Sequence, residues 1–214
     1  MAITYPRALL TVPGINEFKF HVSSNTQIFK SAVTQVTNAI ERPGDIWSGF
    51  YSFAPKKASE IRAMKAWLLS MKGGARTFYG YDPTNRNPSG IANTGSDTIV
   101  VNGTSQVGNS LICNGARNNG IDLLKAGDYF QVGNIGTAVQ LKMMTEDASS
   151  DGSGNITLNF EPPLHESPAN GAPIIFNDPV GVFRLADFDS AVWEATPDEF
   201  TVFAFSFEEV PQTS

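Results

Sequence analysis

Charge, cysteine and histidine are all scarce in this chain, and each shortage removes a class of function. Acidic and basic residues fill only 17% of 214 positions, below the usual quarter. Sequence-specific nucleic-acid binding is not expected, because 15 basic residues are outnumbered by 21 acidic ones, the net charge is -6 and no basic run exceeds Lys56-Lys57. The single cysteine, Cys113, has no partner for an internal disulfide and no second thiol for a metal site. No segment approaches 18 consecutive apolar residues, and the opening residues carry no basic-then-apolar region. Neither a membrane span nor export by a signal peptide is expected.

Turn formers and aromatics are plentiful instead. With 19 Gly, 13 Pro, 11% aromatic and 41% apolar residues, the chain can bury the core of one or two turn-rich domains. Low charge leaves a polar but uncharged surface, which suits a protein surrounded by other proteins, or a sugar binder.

One stretch has a helical period. In 55–74, PKKASEIRAMKAWLLSMKGG, the residues Ile61, Met64, Trp67, Leu68 and Met71 recur at spacings of three and four, so they share one face of a helix about four turns long. Pro55 suits its first turn and Gly73 an exit with positive φ. Lys57, Glu60, Arg62, Lys65 and Lys72 fall mostly on the other faces, and Lys56 and Lys57 read as solvated helix surface. One apolar face cannot bury itself, so the helix must lie across a sheet.

The remaining segments read as strands. Residues 17–22 alternate, with Phe18, Phe20 and Val22 on one side; 28–40 favours extended structure through its β-branched content; and Arg42-Pro43-Gly44-Asp45 is a turn. Residues 46–54 place Trp47, Gly49, Tyr51 and Phe53 on one side and Phe50 on the other, so both faces require cover from the helix, another layer or a partner. Residues 201–208 set Phe203, Phe205 and Phe207 in one stripe. Between these aromatic strands the composition changes. The turn-rich passage 83–95 opens a run of short strand-like segments at 98–101, 110–113, 129–132, 138–145, 156–160 and 172–176. The expected fold is therefore mainly β with one principal α-helix. A discontinuous β-sandwich or split-barrel-like domain, 1–82 plus 179–214, carries a small inserted β-barrel or β-sandwich at 83–178.

Motifs for chemistry are few. His21 and His165 have no G-x-S-x-G serine to serve, and Cys113 has no arguable base, so no catalytic residue is assigned and enzyme activity is not expected. Asp147, Ser149, Asp151 and Gly152 echo a calcium loop, but Leu158 stands where a bidentate Glu is needed; a hairpin is the preferred reading. No metal or cofactor is assigned. Gly73-Gly74 lacks the Lys-Ser/Thr of a phosphate cradle, and Gly127, Gly133 and Gly136 lack a strand-to-helix context.

The segments WSGFYSFAPKKASEIRAMKAWLLSMKGGARTFYGYDP, VNGTSQVGNSLICNGARNNGIDLLKAGDYFQVG, TEDASSDGSGNITLNFEPPLHESPANGAPIIF and GVFRL, across about residues 45 to 187, resemble the distal tail or minor tail proteins of long-tailed bacteriophages. That resemblance implies a virion structural protein of the tail tip, made in the host cytoplasm. Its N-terminal β domain with one helix would form a hexameric homo-oligomeric ring around the tail channel, through which DNA passes unread. The implied partners are the tail tube protein, tail-hub or baseplate proteins and, through an outward second β domain, side-fibre or receptor-binding proteins. No active-site residue is implied. The competing reading is a carbohydrate-binding or host-adhesion module, with Trp47, Tyr51, Tyr79, Tyr81, Tyr129 and Trp193 as a stacking platform.

Overall fold

A computed structural model describes residues 3–10, 14–57, 61–94, 97–187, 192–195 and 200–211, with side chains for all of these except 93, 94, 192–195 and 200–202. In chain order the strands are β1 (Arg7–Ala8), β2 (Ile15–Ser23), β3 (Gln27–Lys30), β4 (Thr37–Ile40) and β5 (Ile46–Lys57). Helix α1 (Arg62–Ser70) and β6 (Thr77–Gly80) follow. Then come β7 (Val100–Val101), β8 (Ser110–Asn114), β9 (Tyr129–Val132), β10 (Gln140–Met144), β11 (Ile156–Glu161) and β12 (Ile174–Ile175). The chain ends with β13 (Gly181–Leu185), β14 (Val192–Ala195) and β15 (Phe200–Glu209). The protein is mainly β with one principal helix, as its sequence pattern predicts.

The larger sheet runs β1-β6-β13-β15-β5-β2, with β14 beside β15. Its buried face is aromatic because β5 and β15 alternate in register: Phe53 pairs with Phe203, Tyr51 with Phe205 and Gly49 with Phe207. The ring of Phe207 stacks on Tyr51 at 4.5 Å between centroids. Gly49 makes room for this close approach, since a Cβ there would lie 2.3 Å from the Lys19 carbonyl oxygen and 2.4 Å from Phe207 Cζ. Two different layers cover the face. At one end α1 sets Trp67 against Phe205 and Phe78; at the other Tyr129 packs on Trp47 and Phe20.

All five apolar residues of the helical pattern are buried, each contributing roughly 1.5–3 kcal/mol. The helix itself is shorter than its sequence pattern predicts, with 9 residues. Pro55 does not begin it. Strand β5 continues through Pro55 to Lys57, and Lys56 and Lys57 pair with Thr201 and Phe200 instead of decorating a helix. The proline is tolerated because β2 pairs with β5 only as far as Phe53, and on the other side the register with β15 shifts between Thr201 and Phe203. The residues 58–60 that precede the helix lie outside the described ones. Gly73 and Gly74, at φ 59° and 88°, form the expected exit. The segment before β2 straps the helix down: Trp67 Nε1 donates to Ala8 O at 2.9 Å, and Tyr5 OH to Ser70 O at 2.9 Å.

The second sheet runs β12-β9-β10-β11-β8-β7, and every one of its strands falls between residues 100 and 175. It curls nearly into a closed antiparallel barrel. Val100 bridges to Pro173, while Val101 N donates to Ala172 O and Ile174 N to Ile99 O, both at 2.9 Å, so the last strand meets the first. Phe130 and Phe160 meet edge-to-face in its interior. The passage 83–94 is tied to this barrel by buried Asp128, whose carboxylate accepts from Ser89 N and Oγ at 2.8 Å and from Gly90 N at 3.3 Å.

Candidate functional site: a bare hairpin and an open sheet face

Strands β3 and β4 pair only with each other, Gln27 opposite Ile40 and Lys30 opposite Thr37. The extended reading of 28–40 is correct, but no part of the described chain covers either face of the hairpin. Ile28, Phe29, Val33, Val36 and Ile40 are between 50% and 91% exposed. Single exposed apolar residues are ordinary, whereas five on one arm mark an interaction surface. The arm is nevertheless built, not frayed. At its base Asn25 N donates to Asp45 Oδ1 at 2.7 Å and Asn25 Nδ2 to Pro43 O at 3.1 Å. At its tip Ser31 N donates to Val36 O at 2.9 Å, Gln35 N to Ser31 O at 3.1 Å, and Ser31 Oγ accepts from Thr34 N at 3.2 Å.

The outer face of the larger sheet is the second open surface. Register places Lys19, Phe50 and Ser206 in one row and His21, Ser48, Glu208 and Arg184 in the next. Glu208 and Arg184 neutralise each other at 2.6 Å. A depression of about 400 Å³ opens here, bounded by Lys19, His21, Phe50, Ala186, Ser206 and Glu208. Its centre is small, uncharged and half-buried; Phe50, expected to need cover, has none from the helix side of the sheet.

A third feature lies at the seam between the sheets. Lys142 is fully buried on β10 and donates from Nζ to Pro163 O at 2.7 Å. Burial lowers its pKa from 10.5 to about 8, against the opposing pull of Glu209 and Glu161. Glu209 Oε2 accepts from Trp47 N at 3.0 Å and lies 3.4 Å from His165 Nε2, which makes no hydrogen bond in that geometry. This cluster joins the two sheets. The cavity of about 370 Å³ beside it is lined by Pro43, Gly44, Asp45, Pro163, Leu164, His165 and Pro211, with no serine, threonine, cysteine or lysine nucleophile among them, so the cluster reads as a structural polar seam.

The residues weighed for chemistry are dispersed. His21 stands exposed on the outer face of β2, opposite Ser48, whereas His165 lies at the seam beside Glu209, and no hydrogen bond or ion pair joins the two histidines. Cys113 points into the barrel, where burial pushes its thiol up to about 12. Asp147, Ser149 and Asp151 accept from Ala126 N, Asp122 N and Asn155 N respectively, so the first two tie the β10–β11 connection to the segment before β9 and the third closes a turn within that connection. Among the described residues no three acidic, histidine or cysteine groups gather as metal ligands. Of the proposed sugar platform, Trp47, Tyr51 and Tyr129 are buried, and the Tyr81 ring is covered by the Arg86 guanidinium at 3.6 Å. The side chain of Trp193 lies outside the described residues. Tyr51 OH donates to Tyr81 O and accepts from Tyr81 N at 3.0 Å, and burial raises its pKa; it is a packing residue.

Exposure of the hairpin was not readable from its pattern, and neither was the burial of Lys142. Compared with protein-family models and with curated proteins, the chain matches none.

Proposed function

We propose that this chain is a structural subunit of a bacteriophage tail tip, closing into a homo-oligomeric ring around the tail channel and joining the tail tube to hub or baseplate proteins. The observation that carries the reading is the coexistence, on one subunit, of two unlike bare surfaces, the apolar arm 27–40 and the outer sheet face with its neutral centre of Ser48, Phe50 and Ser206. A closed ring needs a heterologous contact, in which one surface meets a different surface of the next copy. The segment resemblance to distal and minor tail proteins supplies the tail-tip setting and the sixfold expectation. The barrel would stand as the peripheral domain toward side-fibre or receptor-binding proteins, and the acidic balance suits a channel that DNA traverses without being read.

The test is mass by light scattering over a range of protein concentrations, with negative-stain images of the same sample. A discrete ring is expected. A chain that stays monomeric alone, and also forms no ring when mixed with tail-tip neighbours, rejects the reading.

A further inference from the structure

The geometry points to the occupant of each bare surface: the hairpin 27–40 of one copy seats on the outer face of the larger sheet of the next copy, over the depression bounded by Lys19, Phe50, Ser206 and Glu208. This deepens the ring reading above and rests on it for the presence of a second copy.

Area is the first argument. A two-stranded hairpin is marginal on its own in water, and this one has neither face covered within the described chain. Five large apolar side chains at on the order of 100–150 Å² each, with the polar side chains between them, approach the ~800 Å² per partner that a stable contact buries. Each strand of the arm reaches ~13 Å beyond its clamped base, enough to cross several strands spaced ~4.8 Å apart.

Charge is the second. Between 27 and 40 the arm carries Lys30 as its only ionisable side chain, among Gln27, Thr34, Gln35, Thr37 and Asn38. One cation on an arm of amides and hydroxyls is a poor match for phosphates or an anionic bilayer. It matches a sheet face whose central side chains are Ser48, Phe50 and Ser206 and whose one internal ion pair, Arg184 with Glu208, is already satisfied. Glu17, exposed on the same side of β2 as Lys19, gives Lys30 an anion at the rim. Apolar arm residues would take the depression, with Lys30 directed to Glu17 and away from Lys19.

Four variants of the full chain test this. Phe29→Glu and Val33→Glu alter exposed positions, so their thermal midpoints should stay at the wild-type value while the oligomer dissociates to monomer. For the contact itself, Val33→Cys and Ser206→Cys chains are mixed in equal amounts and treated with a short bis-maleimide; the native Cys113 is buried. The mixture should yield a cross-linked dimer that neither variant yields alone. An oligomer that persists in both Glu variants overturns the arm contact and leaves the ring reading standing. Cross-linking of Val33→Cys chains to each other, or of no pair although the Glu variants dissociate, overturns the assigned occupant. A Glu variant that keeps its mass but loses a tail-tip neighbour assigns the arm to another protein, which also overturns it. A wild-type chain that stays monomeric overturns it too, and the ring reading is then decided separately by the mixtures with neighbours.

Discussion

Trp47 donates its indole N–H to the carbonyl oxygen of Leu141 at 2.9 Å, and this bond crosses from the start of β5 in the larger sheet to the start of β10 in the barrel. Both residues are buried, so a polar group that would be costly to leave unpaired is satisfied only when the two sheets are docked. The same Trp47 uses its backbone N–H to hold Glu209, which faces His165 and the charge of Lys142. Packing and polar satisfaction therefore converge on one seam.

Lys142 makes the seam sensitive to alkaline pH. Its folded pKa of about 8 lies below the ordinary 10.5, so between these values the unfolded chain holds a proton that the folded chain has shed. Stability should then rise with pH across that window, by on the order of 1–3 kcal/mol. Cys113, whose thiol burial raises from 9.0 to about 12, acts in the opposite sense above about pH 9, and Tyr51 and Tyr129, also raised by burial, do so above their ordinary value of 10.0, which confines the clean window to pH 8–9. Urea midpoints measured across this range should climb for the wild type and stay flat for Lys142→Met. Parallel curves for the two proteins would remove Lys142 as the source.

The helix face offers a separate test. Trp67 and Leu68 are buried against the larger sheet, and Trp67 also anchors the strap at Ala8. Trp67→Ala or Leu68→Ala should each cost about 2–5 kcal/mol in denaturant unfolding, through lost burial and the cavity left behind. Leu69, exposed on the opposite side, serves as the control: Leu69→Ala should change stability by less than about 0.5 kcal/mol.

The contrast between Leu68 and Leu69 also shows what the sequence could reveal. Where one face of an element is covered, its period records the fact, and the five core residues of α1 and the stripes of β5 and β15 were legible for that reason. Barrel strands such as β9 and β11 were legible from turn residues at both ends. The arm was legible only as extended chain, because with both faces bare its apolar residues follow no period. Pro55 misled because the polar run after it marks no boundary between a strand end and a helix start. Lys142 was hidden because burial of a lysine depends on Pro163 O and Glu209, which come from distant parts of the chain.

Excision of the barrel is the most direct test of the proposed domain division. Every partner strand of the larger sheet lies outside 83–178, and Gly80 on β6 stands opposite Gly181 on β13 as an antiparallel pair. The chain thus leaves and re-enters the sheet from adjacent positions, and joining 82 to 179 through two or three flexible residues replaces the barrel by a hairpin turn. What the remnant loses is cover. Trp47 forfeits its bond to Leu141 and its contact with Tyr129, Phe20 loses the same Tyr129 edge, and Lys142 no longer stands near Glu209. Losing one buried hydrogen bond and exposing one indole costs roughly 3–5 kcal/mol, a large part of a small domain's stability. The expected remnant therefore unfolds cooperatively but at a lower midpoint, with a red-shifted emission that is absent when Trp47→Phe is added. Amide resonances without dispersion and no cooperative transition, for linkers of two different lengths, would show that 1–82 plus 179–214 does not fold without the barrel.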